Sequence, residues 1–220
     1  MQKGKLIVIE GTDGSGKTTQ TEALLNRFKK EGIDSVSIRF PQYEKNLFGG
    51  LIREALDGKH GDFIGLDPKI ASVLYACDRY ETRKKIENWL GEGKIVVADR
   101  YVSSNQIHQG GKIKDEKKRK QFLDWLNAME YDTLGVVKPD AVLYLDVPHE
   151  VSIGLIADRE GVKDEADSDF EYLKNSKEAG MYMLSKDMFW YRINCMKKNK
   201  LLSIEDIHDL VWEKVDKIIL

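Results

Sequence analysis

The chain has 220 residues, of which 41% are hydrophobic, which is enough for one well-formed core or at most two small ones. Charged residues make up 33%, yet the formal net charge is only −2, so no general basic field predicts a nucleic-acid partner. Cys77 and Cys195 are too few for a disulfide framework and favour a reduced compartment. No segment approaches the roughly 20 apolar residues of a membrane span, and the N-terminus lacks a signal-peptide pattern. We therefore expect a soluble, cytoplasmic protein that does not bind a membrane.

Short apolar runs predict the strands of a parallel sheet. The strong candidates are Leu6–Ile9, Ile95–Ala98 and Ala141–Leu145, and the weaker ones are Ser35–Phe40 and Trp190–Cys195. The strong candidates are apolar on both faces, as expected for a parallel sheet whose two sides are covered by helices.

Three amphipathic segments predict helices between these strands. They are Thr18–Glu31 before Gly32, a long segment from Asp67 to about Gly91 or Gly93, and Ile204 to about Ile218. Asp67 followed by Pro68 is typical of a helix start, and Ser203–Asp206 is a capping box. The alternation predicts an α/β fold in one domain over residues 1–220, with a five-stranded parallel sheet covered by helices on both faces.

A phosphate-binding loop is the most informative motif. Residues 11–18 read Gly-Thr-Asp-Gly-Ser-Gly-Lys-Thr and match G-x-x-x-x-G-K-[ST] at every fixed position. Glycine-rich backbone N–H groups and a helix N-terminus bind phosphate. Lys17 is predicted to reach the β- and γ-phosphates, and Thr18 to ligate Mg²⁺. The predicted ATP-binding residues are Gly11, Asp13, Gly14, Ser15, Gly16, Lys17, Thr18 and Thr19.

Charged and aromatic side chains accompany this loop. Asp99 ends a predicted strand, and the carboxyl ends of parallel strands are where such sheets bind ligands, so we expect Asp99 near the metal. Arg100 can bind an anion through two N–H groups. Tyr75 and Arg79 are spaced i, i+4 on one helix face, which fits a platform on which a base stacks. Core packing is the alternative for Tyr75, and a surface ion pair for Arg100.

The loop predicts a phosphoryl-transfer protein and leaves the acceptor open. A kinase for a nucleoside or a small hydroxy acid has no acceptor phosphate to bind, whereas Arg79 and Arg100 favour a phosphorylated acceptor. A nucleotide switch of the GTPase type usually carries Asn-Lys-x-Asp, a motif that this sequence does not contain. Intact Lys17, Thr18 and Asp99 argue against an inactive binding module.

Four segments together resemble the thymidylate kinase family. They are Ile9–Gln20, Arg39–Gln42, Tyr75–Arg79 and Asp99–Gln109. Leu145–Pro148 is similar to the family's strand before its lid. The loop alone is shared with many nucleotide-binding proteins, whereas the four segments in this order are far more specific.

The resemblance implies ATP-dependent, in-line phosphorylation of dTMP to dTDP with Mg²⁺, for dTTP synthesis, by a homodimer. Asp13 would read the sugar hydroxyl, Tyr75 would stack on thymine, and Arg100 would bind the acceptor phosphate. The implied substrate-binding residues are Asp13, Arg39, Phe40, Tyr75, Arg79, Arg100, Asn105 and Gln109. The implied catalytic residues are Lys17, Asp99, Arg100 and Arg159, and the implied metal ligands are Thr18 and Asp99.

Some positions depart from the family pattern in ways that affect selectivity. His108 replaces an aromatic residue that packs against the deoxyribose in some members, and Ile107 replaces a small residue. Tyr43 stands where some members carry arginine. These differences leave open whether dUMP or purine monophosphates are also accepted.

The source of the catalytic cation also differs among members. Gly14 stands where one branch has a loop arginine, and members without it take the cation from the lid. The lid is predicted at about residues 159–169, where Arg159 is favoured over Lys163. A salt bridge to a lid carboxylate is the alternative for Arg159.

Overall fold

The computed structural model describes residues 3–157 and 170–219, and within them the main sheet has five strands, all parallel. They are β1 (Leu6–Glu10), β2 (Ser35–Arg39), β3 (Ile95–Asp99), β4 (Ala141–Asp146) and β5 (Trp190–Asn194). Their spatial order is β2-β3-β1-β4-β5. All five predicted strands are confirmed, including the two weaker candidates.

Helices connect the strands. They are α1 (Lys17–Glu31), α2 (Leu47–Leu56), α3 (Pro68–Gly91), α4 (Val102–Ser104), α5 (Glu116–Asn127), α6 (His149–Ala157), α7 (Phe170–Lys186) and α8 (Ile204–Ile219). Helix α4 continues as a π-helical segment, Asn105–Gln109, and α5 continues as a second one, Ala128–Thr133. A small antiparallel pair, β6 (Met196–Lys197) and β7 (Lys200–Leu201), precedes α8.

The predicted helix starts are confirmed in atomic detail. The Asp67 carboxylate accepts a hydrogen bond from the Lys69 N–H at 2.9 Å, so it caps α3. The Ser203 hydroxyl accepts one from the Asp206 N–H at 3.0 Å, so it caps α8. Gly32 follows the last residue of α1 in a left-handed conformation, as the sequence predicted.

Alternating strand residues divide the core into two layers. In β1, Leu6 and Val8 pack in the layer that includes residues of α3, α5 and α7. Ile7 and Ile9 pack in the opposite layer, against residues of α1 and α8. Helices therefore cover both faces of the sheet, which confirms the predicted fold class.

The structure leaves two predictions from the sequence open. The single domain over residues 1–220 stays a prediction, and the lid at about residues 159–169 lies outside the described residues. No helix in the described parts of the chain is long and apolar enough to span a membrane.

Two helical glycines provide a test of this packing. A Cβ added at Gly180 in α7 would lie 2.5 Å from the Tyr144 ring, which is buried in the core and cannot move aside cheaply. A Cβ added at Gly154 in α6 would meet no described atom within 4 Å. Gly180→Ala should therefore lower the free energy of unfolding by about 1–3 kcal/mol. Gly154→Ala should raise it by up to about 1 kcal/mol, because alanine favours helix. Urea denaturation measures both, and a stabilising Gly180→Ala would contradict the packing.

Candidate active site

The loop between β1 and α1 has the backbone of a phosphate cradle. Gly11 and Gly16 have φ values of 154° and 88°, which L side chains rarely adopt. A Cβ at Gly11 would also lie 2.5 Å from the Ser15 Oγ atom. Thr12 Oγ1 and Ser15 Oγ are buried without a hydrogen-bond partner among the described residues. Since buried polar atoms are normally paired, these hydroxyls fit a bound phosphate.

Lys17 lies over this loop. Its Nζ atom donates hydrogen bonds to the carbonyl oxygens of Gly11, at 2.9 Å, and Thr12, at 2.8 Å. Burial, with the positive charge of Arg100 adding to it, lowers the pKa of Lys17 to about 8. A triphosphate in the loop would offer this ammonium group anionic acceptors in place of neutral carbonyls.

Thr18 and Asp99 form a pair of oxygen ligands beside the loop. The sheet register places Asp99, at the end of β3, opposite Ile9 of β1. The Thr18 hydroxyl donates to Asp99 Oδ2 at 2.8 Å, and Asp99 Oδ1 is buried without a described partner. Mg²⁺ prefers oxygen ligands and often uses only one or two from the protein. The pair therefore fits the metal predicted from the sequence.

Arg100 turns from the strand toward the loop. Its φ of 68° is left-handed, an uncommon conformation for a residue other than glycine. The guanidinium Nη2 donates to the Asp13 carboxylate. Burial by itself would raise the pKa of Asp13, but the charges of Arg100 and Lys17 outweigh it and hold that pKa well below its usual range. Asp13 therefore stays ionised and links the loop to Arg100.

A cleft opens beside Arg100. It is lined by Asp13, Phe40, Pro41, Tyr43, Leu56, Phe63, Ile64, Tyr75, Arg79, Arg100, Tyr101, Ser104, Asn105, His108, Gln109, Lys112 and Tyr172. The lining combines aromatic rings with polar and cationic side chains, as is typical of a ligand site.

The cleft brings together seven of the eight residues that the sequence assigned to the substrate, all except Arg39. The Arg39 side chain is 61% exposed, and its Nε atom lies 3.7 Å from Asp99 Oδ2. Arg39 therefore lies on the metal side of the site. Ile107 is fully buried in the core instead of lining the cleft, so any effect on selectivity is indirect.

The side chain of Arg79 is held in place by Glu130, a residue that the sequence analysis did not identify. Arg79 Nε donates to Glu130 Oε2 at 2.7 Å, and Nη1 donates to the Tyr101 carbonyl at 3.2 Å. Burial would lower the pKa of Arg79, but the Glu130 carboxylate outweighs it and raises that pKa. Asn105 Nδ2 donates to the same carboxylate at 3.2 Å. The only signal in the sequence was an acid between apolar neighbours, in Met129-Glu130-Tyr131.

Gln109 and His108 present different chemistry to the cleft. Gln109 Oε1 is buried without a described partner, so it can accept a hydrogen bond from a ligand. His108 lies beside Arg100, with its Nε2 atom 3.1 Å from Arg100 Nη1. Burial, with the Arg100 charge adding to it, lowers the pKa of His108 to about 3, so the ring is neutral.

Glu10 is a second buried acid that sequence reasoning missed. Its carboxylate accepts hydrogen bonds from the Gly11 N–H at 3.0 Å, and from the hydroxyls of Ser103 at 2.6 Å and Ser104 at 2.7 Å. It therefore holds the start of the phosphate loop against α4. Arg159 and Lys163, the candidates for a lid cation, lie outside the described residues.

The thymidylate kinase family model matches residues 9–209. The chain belongs to the thymidylate kinase family. A probable thymidylate kinase from Thermococcus onnurineus is 36% identical over 208 residues, covering 92% of this chain and 93% of the relative. A thymidylate kinase from Plasmodium falciparum is 30% identical over 217 residues, covering 99% and 92%.

A solved thymidylate kinase structure from Candida albicans shares the fold. Its TM-score is 0.77 at 23% sequence identity, and the match covers 99% of this chain and 94% of that one. The family membership makes the chain a nucleoside monophosphate kinase, a phosphotransferase whose acceptor is itself a phosphate. The sequence-based family resemblance is thereby confirmed.

The buried Arg79–Glu130 pair yields a stability prediction. Glu130→Gln leaves the Arg79 cation buried without a counter-charge, and should lower the free energy of unfolding by about 3–5 kcal/mol. Glu178→Gln, at an exposed position of α7, is the matched control and should stay within about 0.5 kcal/mol of wild type. Chemical denaturation measures both. A Glu130→Gln variant as stable as the control would contradict the assigned role of the pair.

Proposed function

We infer that the chain transfers the γ-phosphate of ATP to dTMP and forms dTDP. The observation that carries this is the position of Arg100, whose guanidinium binds Asp13 of the phosphate loop and also lines the cleft. A phosphate at the mouth of the cleft would therefore lie next to the γ-phosphate end of the loop. The family membership supports ATP as donor and dTMP as acceptor.

The donor side is built to hold a triphosphate. The loop backbone and the N-terminus of α1 bind the phosphates, and Lys17 moves from its two carbonyl partners to the β- and γ-oxygens. Thr18 and Asp99 would hold Mg²⁺, which supplies charge neutralisation between the β- and γ-phosphates. Loss of transfer in excess EDTA, restored by added Mg²⁺, tests this assignment.

The acceptor side presents cations to phosphate and an aromatic surface to the base. Arg100 has N–H groups beyond those bound to Asp13 and His108, and these can bind the dTMP phosphate. The ring centroids of Tyr75 and Phe63 lie 5.8 Å apart, so Phe63 supports the Tyr75 ring in a position to stack on thymine. Gln109 Oε1 is an acceptor suited to the N–H of thymine.

The chemistry is mainly positioning and charge neutralisation. A phosphate monoester has a second pKa of about 6, so dTMP is already largely a dianion at neutral pH. No strong general base is needed. The difficulty is the repulsion between two polyanions, which Lys17 and Arg100 reduce while they align the attacking and leaving oxygens.

Arg159 is proposed as a further cation on the transferring phosphoryl group. It rests on the sequence resemblance and on Gly14, which leaves the loop without an arginine. An Arg159→Ala enzyme that keeps kcat within about threefold of wild type, or about 0.7 kcal/mol, would rule out this role.

A homodimer is also proposed. Exposed apolar side chains on α2 and α3 support it, among them Leu47 at 74% and Ile70 at 57% exposure. A monomer in sedimentation at micromolar concentration would contradict it. The cytoplasmic location expected from the sequence stays a prediction, which imaging of a tagged chain tests.

A panel of monophosphate acceptors tests the function directly. With ATP as donor, ADP release should be fastest with dTMP, and slower with dUMP, dGMP and dCMP. Lys17→Met should abolish release with every acceptor, because the γ-phosphate loses its cation. Lys30→Met, at an exposed position of α1, is the matched control and should retain activity. Rapid turnover of another acceptor with none of dTMP would contradict the proposal.

A further inference from the structure

His108 lies between the cleft and α7 and is held on three sides. Its Nε2 atom lies 3.1 Å from Arg100 Nη1, and its Nδ1 atom lies 3.0 Å from the Ser176 hydroxyl. Its ring stacks on Tyr172, with centroids 5.5 Å apart and planes 10° from parallel. Only 7% of the residue is exposed. So enclosed a side chain has one available orientation.

The hydrogen bonds fix which nitrogen carries the proton. An arginine guanidinium can only donate, so the Nε2 atom that faces it must be an unprotonated acceptor. A neutral imidazole then carries its proton on Nδ1, which donates to Ser176 Oγ. A serine hydroxyl can donate or accept, so the Arg100 contact fixes the tautomer, and Ser176 accepts the Nδ1 proton and holds the ring in place.

A neutral acceptor can orient Arg100 without adding a negative charge, which a carboxylate cannot do. Asp13 alone could draw the guanidinium into a two-point ion pair, which would occupy two donors and direct the group toward the loop. His108 takes one donor without adding negative charge. The guanidinium is therefore oriented between two partners. Its remaining N–H groups, and more of its positive charge, stay available to a ligand in the cleft.

We propose that His108, held by Ser176 in the tautomer that Arg100 imposes, is a positioning residue that orients Arg100 toward the acceptor phosphate. The proposal rests on the proposed function for the identity of that phosphate. On this proposal, the imidazole contributes to phosphate binding indirectly, through its hydrogen bond with Arg100.

Three variants separate this role from simple packing. His108→Phe keeps an aromatic ring against Tyr172 but removes the acceptor. His108→Gln can place an amide oxygen near the position of Nε2. Ser176→Ala removes only the hydroxyl that accepts the Nδ1 hydrogen bond. Each is compared with wild type by KM for dTMP, KM for ATP and kcat, with thermal unfolding measured in parallel.

His108→Phe should raise KM for dTMP by about tenfold, as expected for the loss of one hydrogen bond to a charged group. KM for ATP should stay within about twofold, because Lys17 and the loop backbone, which are proposed to bind the triphosphate, keep their contacts. His108→Gln should bring KM for dTMP back to within about threefold of wild type. Ser176→Ala should raise it by about threefold, since the Nδ1 N–H loses its buried acceptor and the ring is held less firmly.

Equal impairment of His108→Phe and His108→Gln would overturn the proposal, as would a KM for dTMP in Ser176→Ala that matches wild type. A parallel rise in both KM values would also overturn it, because that pattern indicates general damage to the fold. Failure of the proposed function is separate, since it would appear as wild-type enzyme that does not turn over dTMP.

Discussion

The ion pair between Arg100 and Asp13 is the contact on which the rest of the site depends, because it joins the donor loop to the acceptor cleft. Phosphoryl transfer between two nucleotides requires two polyanions to meet with their reacting oxygens in line. The parallel register that sets Asp99 opposite Ile9 brings this predicted metal ligand and the loop to one edge of the sheet. The left-handed backbone of Arg100 then turns the next side chain back across the loop. One guanidinium thereby contacts the phosphate loop and lines the cleft.

Buried hydrogen-bond acceptors orient the arginine side chains of this site. Glu130 holds Arg79 with a carboxylate at the base of the cleft, where a full counter-charge offsets the cost of burying the guanidinium. His108 holds Arg100 with a neutral nitrogen, where a second negative charge would compete with the acceptor phosphate. The two arginines differ in this way because Arg79 is anchored mainly by its own partner, whereas Arg100 is proposed to bind a phosphate. Whether the partner is charged or neutral therefore determines how much positive charge each arginine can offer to a ligand.

Much of this architecture could be predicted from local patterns. Apolar runs, helix caps and the glycine-rich loop each encode structure over fewer than about 20 residues, and all five strands and the phosphate loop followed from them. The partners of the functional side chains could not be found in this way. Glu130 lies 51 positions from Arg79, and Glu10 lies 93 from Ser103, so only the folded chain brings them together. The place of Arg39 beside Asp99, outside the cleft lining, likewise depends on the pairing of two strands that are far apart in the sequence.

The most direct test of the account compares two ligands that differ only by the acceptor phosphate. Dissociation constants for dTMP and for thymidine are measured by calorimetry in wild type and in Arg100→Met. If Arg100 binds the acceptor phosphate, the variant should weaken dTMP by about a hundredfold, the equivalent of about 2.7 kcal/mol. Thymidine should change by less than about threefold, since it has no phosphate to lose. Equal weakening of both ligands, or unchanged dTMP binding, would contradict the central role given to Arg100.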